Sequence, residues 1–276
     1  MLPYIGGKSR ISTFIKHFIP NDTETYVEPF SGMYWVFLKM DLSDYPNLKR
    51  VVYNDVNPLN VNLFRCIKDY NKLWNLSKNI PIEDPELFKQ FQSEIFDPNL
   101  VLDKPNFEIA YKYAYVISQV WSGKDPTKAV LVKNGGYVSK KTGIYVSKFE
   151  IFRNKLIDPS FQKYVDSITD IENLDFEEVV KKYDSPKTYF YCDPPYFSTE
   201  KYYANHNFNK DTHKRLADTL KSIKGRFSLS YYHFDLLDEW FPKNEFKWES
   251  KVFGKSAMAK SGEAQTKGTE LLIMNY

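Results

Sequence analysis

Asp193, Pro194, Pro195 and Tyr196 follow the apolar run Thr188–Cys192 without a break. Proline carries no N–H, so Pro194 and Pro195 end a strand, fix the turn and leave their carbonyls free as acceptors. The Asp193 carboxylate then stands beside the Pro194 carbonyl, and Tyr196 adds a flat face two residues on. Such a group suits a planar ring bearing an amine. The ring stacks while two acceptors take the amine hydrogens, drawing the nitrogen toward tetrahedral geometry and freeing its lone pair for attack on a neighbouring electrophile. In isolation Asp-Pro-Pro also fits a plain strand-ending turn, so the chemistry depends on what else lies nearby.

Three further stretches could supply it. In Pro3–Arg10, "PYIGGKSR", two glycines allow close backbone approach and Lys8 places a cation beside them. A nucleoside-triphosphate P-loop is not expected, because the required earlier glycine position holds Leu2. In Val27–Gly32, "VEPFSG", a strand breaks at Glu-Pro-Phe, and Gly32 lets a ligand lie against the turn. Asp55, in "YND", closes the next strand. There it fits either a pair of ribose hydroxyls or a helix cap.

The elements that must position these residues read as α/β. "TYVE" is a strand, and "SGMYWVFLKM" has the length and apolar content of a buried helix. "KRVVYND" is a second strand, followed by a helix that Asn57 caps and Pro58 opens, with Leu59, Leu63 and Ile67 on one face. Strand, helix, strand, helix begins a doubly wound, mostly parallel sheet. The centre reads differently: two helices, "DPELFKQFQSEIF" and "NFEIAYKYAYVISQVW", precede a β-rich segment running through "KFEIF". Asn134–Gly135 and Lys141–Thr142–Gly143 are its turns. Beyond it, "TYFYC", "GRFSLSYY", "FKWESKVF" and "ELLIMNY" are strands. A helix lies among them, with Leu216, Leu220 and Ile223 on one face, and Gly254–Gly268 reads as an irregular loop.

Composition narrows the class. Of 276 residues, 42% are hydrophobic and 17% aromatic, enough for a sizeable core and for stacking on planar ligands. Two distant cysteines and four histidines without ligand spacing predict no disulfide framework and no metal site, and fit a reducing compartment. No run is apolar enough to span a bilayer, so a cytoplasmic protein with no membrane partner is expected. The formal charge is only +3, yet residues 120–163 hold nine Lys/Arg against three acids. That basic insert is a candidate polyanion-binding surface.

The order "YIGGK", "VEPFSG", "YND", "DPPY", ending in "GTELLIMNY", resembles the Dam-type adenine-specific DNA methyltransferases over nearly the whole chain. The resemblance implies a Rossmann-like methyltransferase fold in 1–72 and 164–276, with an inserted helical and β-hairpin target-recognition domain in 73–163. It implies S-adenosylmethionine (SAM) as cofactor, S-adenosylhomocysteine as product, no metal, and double-stranded DNA as substrate. Tyr4 and Lys8 would contact the cofactor, Phe30, Ser31 and Gly32 would form the turn beneath its methionine part, and Asp55 would hold its ribose. Asp193 would serve both cofactor and target amine, with Pro194 as second acceptor and Tyr196 stacking the flipped adenine. Phe197 would be a second apolar wall. Lys140, Lys141, Lys148 and Arg153 would face DNA. A cognate restriction endonuclease is left open as a partner. Tyr34 stands where the family places a second glycine, which predicts a displaced or weaker cofactor seat. A binding module without catalysis, and methylation of cytosine or of an RNA adenine, are the competing readings.

Overall fold

The computed structural model describes residues 8, 11–120, 136–138, 143, 145–197, 208–254 and 267–276. Its chain forms two compact units, one of Lys8–Val56 with Leu174–Tyr276 and the other containing Asn57–Asn173.

The first unit opens with a short helix, α1 (Ser12–Lys16). Its strands β1 (Thr25–Glu28), β2 (Arg50–Asn54), β6 (Thr188–Cys192) and β7 (Arg226–Tyr231) run parallel, while β9 (Lys267–Met274) is antiparallel to β7 and β8 (Lys247–Gly254) antiparallel to β9. These strands lie in the order β2-β1-β6-β7-β9-β8. Register places Val27 opposite both Val52 and Phe190, and Phe190 opposite Phe227. The resulting apolar ladder packs with α8 (Phe176–Tyr183), α9 (Lys210–Ser222) and α10 (Asp235–Trp240) through Val179, Leu216, Leu220 and Leu237. The α9 stripe thus works as its spacing requires, and Asn209 caps it by accepting from the Thr212 N–H. Parallel pairing sends the carboxyl ends of β1, β2, β6 and β7 to one edge, so the Glu-Pro-Phe turn, the Asn-Asp pair and Asp193 meet there. Antiparallel β9 brings its amino-terminal half to the same edge, with Leu271 opposite Tyr231.

The expected helix over "SGMYWVFLKM" does not form. Gly32 and Tyr34 both adopt left-handed backbone, with φ of 49° and 57°, which stops helix propagation. Only a 3₁₀ turn at Phe37–Lys39 remains. The expectation of irregular chain between β8 and β9 falls largely on residues 255–266, outside the described residues.

The second unit is mainly helical. Asn57 caps α2 (Pro58–Ile67) by accepting from the Leu59 N–H, and Leu59, Leu63 and Ile67 are buried. The buried α5 (Phe107–Gln119) holds α2 through a Tyr113 hydroxyl donated to Asn60, 2.8 Å. Around it lie α3 (Tyr70–Ser77), α4 (Pro85–Ile95), α6 (Lys148–Leu156) and α7 (Pro159–Ser167), with the short strand β5 (Asp170–Glu172) near the unit's end. Lys68, past the end of α2, donates to the carbonyls of Val165 and Ile168. Such bonds draw 57–72 and 164–173 into this unit, which is wider than the 73–163 insert expected from sequence. β3 (Gly136–Val138) and β4 (Tyr145–Ser147) form the antiparallel hairpin arms, and Gly143 between them has φ 69°. The Asn134–Gly135 turn lies outside the described residues. The "KFEIF" stretch is helical instead of β: Ser147 caps α6, and Phe149, Phe152 and Leu156 recur on its buried face.

Candidate active site

Asp193 leaves β6 at the sheet edge, its side chain 18% exposed, and its Oδ1 lies 2.8 Å from the Lys8 ammonium. The same ammonium lies 3.1 Å from Glu270 Oε1. Lys8 also donates to the Tyr196 hydroxyl, which in turn donates to Glu270. Burial pushes the Asp193 carboxyl up to about 6; Lys8 opposes that rise and the Glu270 charge adds to it. Burial would pull the Lys8 pKa down, but Asp193 and Glu270 together outweigh it and the net direction is up. Asp193 is therefore ionised at neutral pH and above, and remains a hydrogen-bond acceptor.

The Tyr196 ring is less open than its motif suggests, with the residue 9% exposed. Its hydroxyl is tethered by Lys8 and Glu270, and Tyr232 meets its ring edge-to-face at 4.5 Å. Phe197 stacks on Phe234 at 4.5 Å and lies 5.3 Å from the His213 ring.

The Glu-Pro-Phe-Ser-Gly turn is fastened to β2 from both sides. Ser31 N–H donates to the Asn54 carbonyl, 2.9 Å, and Asn54 N–H donates to Ser31 Oγ, 3.1 Å. The Asn54 amide donates to the Pro29 carbonyl, 2.8 Å, and to the Leu174 carbonyl, 3.1 Å, while its oxygen accepts from Leu174 N–H. Gly32 N–H donates to Asp55 Oδ2, 2.8 Å, and Asp55 is 6% exposed. Asp55 thus binds the turn, and the capping role falls to Asn57. Phe30 packs 5.5 Å from Phe176 and 5.9 Å from Phe208. Beneath the turn, burial pushes the Glu28 carboxyl up to about 8, although Tyr26 O–H and Phe37 N–H both donate to it.

Tyr34 stands at the position where the family pattern has a second glycine. Its backbone takes the left-handed conformation that a glycine would supply, and its ring is fully buried. The hydroxyl donates to the Val52 carbonyl at 3.0 Å, and the ring packs against Phe37 and Tyr53. The side chain is consumed in the core.

Tyr4, Lys140 and Lys141 lie outside the described residues. Lys148 is half-buried, and burial lowers its pKa. Arg153 Nη1 donates to the carbonyls of Ser77, Lys78 and Ile80, closing the end of α3. Two residues carry the site without having been singled out from sequence. Asn54 appeared only as the neighbour of Asp55, and Glu270 only inside an apolar strand. A lone acid among "TELLIM" was the available signal.

A carboxylate at the end of β2, bonded to a left-handed glycine turn at the end of β1, gives a sugar and a small zwitterion a fitting donor and acceptor set. Beside it, the strand-end Asp-Pro-Pro-Tyr group supplies acceptors for an amine. Such a pairing is what a methyltransferase acting on a planar amine requires. The family model of D12 class N6 adenine-specific DNA methyltransferases matches residues 4–253, and the chain belongs to this family. It is similar to the type II methyltransferase M.MjaIII of Methanocaldococcus jannaschii, 27% identical over 305 aligned positions covering 100% of this chain and 98% of that protein. It is also similar to the type II methyltransferase M.CviBI of Paramecium bursaria Chlorella virus NC1A, 22% identical with 100% and 99% covered. Among the described residues, no helix is long and apolar enough to cross a membrane.

Proposed function

We propose that this protein methylates the N6 amine of adenine at specific sites in duplex DNA, acting on a base turned out of the helix. The observation that supports this most is the Asp193 carboxylate, paired with the Lys8 ammonium at the edge where the Gly32 turn and Asp55 also stand. The family is specific for DNA adenine, which favours this reading over cytosine or RNA.

Gly32, Ser31 and Asp55 would hold SAM, which when bound supplies an electrophilic methyl group. Asp193 and the Pro194 carbonyl accept the two amine hydrogens, so the nitrogen lone pair is released from the ring. Tyr196 and Tyr232 form the aromatic wall for the base. In a transfer that makes the N–C bond as the sulfur–methyl bond breaks and a neutral thioether leaves, positive charge would grow on the nitrogen, where the Asp193 carboxylate would stabilise it and receive the departing proton. Catalysis by these residues is positioning plus charge stabilisation. The basic central segment, with Lys140, Lys141 and Lys148, meets phosphate. Arg153, occupied by three carbonyls, is assigned to holding that unit together.

The test is incubation with SAM and mixed-sequence DNA, followed by nucleoside mass spectrometry and sequencing of modified positions. N6-methyladenine confined to one short motif is expected. Methylated cytosine, or DNA and SAM binding without any methylated base, would overturn the reading.

A further inference from the structure

Glu270 has no part in the chemistry so far. Antiparallel β9 carries it just beyond the Tyr231–Leu271 pairing, to the edge where β6 delivers Asp193. It is 1% exposed, and a buried carboxylate needs partners. Its partners are the Lys8 ammonium at 3.1 Å and the Tyr196 hydroxyl. Lys8 lies 2.8 Å from Asp193 as well, so two carboxylates share one ammonium.

We propose that Glu270 is a positioning residue for methyl transfer: it draws Lys8 and the Tyr196 hydroxyl toward β9, so that Asp193 is not closed into an exclusive ion pair and stays available to the substrate amine. This rests on the adenine-methylation reading of the site. Counted as formal charges, two carboxylates against one ammonium leave the cluster one surplus negative charge, the complement of the charge that develops on the nitrogen. Glu270→Gln keeps the volume and removes that surplus. Asp193 and Lys8 then form a neutral pair, and Asp193 becomes a weaker acceptor.

The direction of the effect on Asp193 is fixed by what faces it. Lys8 comes from the amino-terminal segment, Tyr191 and Tyr196 from β6 and the turn after it, Tyr232 from beyond β7, Glu270 from β9 and Glu28 from β1. Removing the Glu270 charge lowers the pH at which Asp193 protonates. Removing the Lys8 charge raises it.

The experiment uses the full chain. The Asp193 carboxyl is titrated by ¹³C NMR, assigned through its loss in Asp193→Asn, alongside kcat and KM for SAM and for DNA across pH. In Glu270→Gln the Asp193 midpoint moves to lower pH and kcat falls about ten- to a hundredfold, the effect of weakening one charge-assisted hydrogen bond, with both KM values kept. In Lys8→Gln the midpoint moves the other way. An unmoved midpoint in Glu270→Gln, or a moved one with wild-type kcat, overturns the proposal. Should Glu270→Gln not fold, a Lys8→Gln midpoint that fails to rise overturns it. A wild-type protein that forms no N6-methyladenine sinks the assigned reaction instead, and the titrations then judge the shared ammonium independently.

Discussion

Tyr34 offers a perturbation whose sign runs against ordinary substitution rules. The residue is 0% exposed, makes a hydroxyl bond to Val52 and packs its ring on Phe37, Tyr53 and Tyr26. Truncating a buried aromatic to alanine costs about 3–5 kcal/mol. Its backbone φ of 57° penalises any side chain with a β-carbon, by about 1–2 kcal/mol. Tyr34→Ala loses the ring and keeps that penalty. Tyr34→Gly loses the ring and sheds it, for a net loss of about 2–4 kcal/mol. The glycine variant is therefore more stable than the alanine variant by about 1 kcal/mol, whereas in ordinary helix or strand backbone it would be less stable by a similar amount. Urea unfolding of the three proteins, compared by midpoint at constant slope, reads the difference. Calorimetric titration with SAM gives the second arm, because a ring consumed in the core leaves cofactor affinity the same in Tyr34→Gly as in wild type. Alanine equal to or better than glycine would refute the left-handed backbone. Markedly tighter SAM binding by Tyr34→Gly would show that the ring intrudes on the cofactor seat.

Three other perturbations follow from the same geometry. Glu28 protonates at about 8 in the folded chain against an ordinary 4.5, so the folded state binds the extra proton and stability falls as pH rises through that window, at up to about 1.4 kcal/mol per pH unit. Asp193 contributes with the same sign between 3.8 and about 6. Glu28→Gln preserves the oxygen that Tyr26 and Phe37 bind, so its melting temperature exceeds wild type by a margin that widens from pH 5 to 8; parallel curves would contradict the buried carboxyl. Arg153→Met lowers stability by about 2–3 kcal/mol, through carbonyls left without their charged donor, while DNA retention at permissive temperature persists. Unchanged melting with abolished retention would return Arg153 to the DNA. Neutralising Lys140 and Lys141 together reduces the slope of log affinity against log salt by about 0.9 for each phosphate that is no longer neutralised, measured by gel shift across salt; an unaltered slope would remove them from the interface.

What the sequence disclosed and what it hid have physical reasons. The strands at Tyr26, Val51, Phe190 and Leu229 were legible because short apolar runs end in acids or turns, and the α9 stripe because Leu216 and Leu220 repeat at helical spacing. Helix α6 was read as β, although Ser147 and Glu150 mark its start and Phe149, Phe152 and Leu156 its buried face; the adjoining hairpin pattern masked the change of period. The missing helix after Ser31 had no such signal, since tyrosine does not advertise a left-handed backbone. Asp193, Lys8 and Tyr196 were each singled out from motifs, and the structure brings them together. Glu270 completes that cluster through a pairing that spans almost the whole chain, and local pattern carries no trace of which acid will meet which lysine.

The most direct measurement is methyl transfer from SAM to duplex DNA by wild type and by Asp193→Ala, with the product identified as a nucleoside and DNA retention followed in parallel. Wild type should yield N6-methyladenine, and Asp193→Ala should yield none while still retaining DNA. Turnover persisting in Asp193→Ala would contradict the account, because the amine would then be activated without the carboxylate assigned to accept its hydrogen.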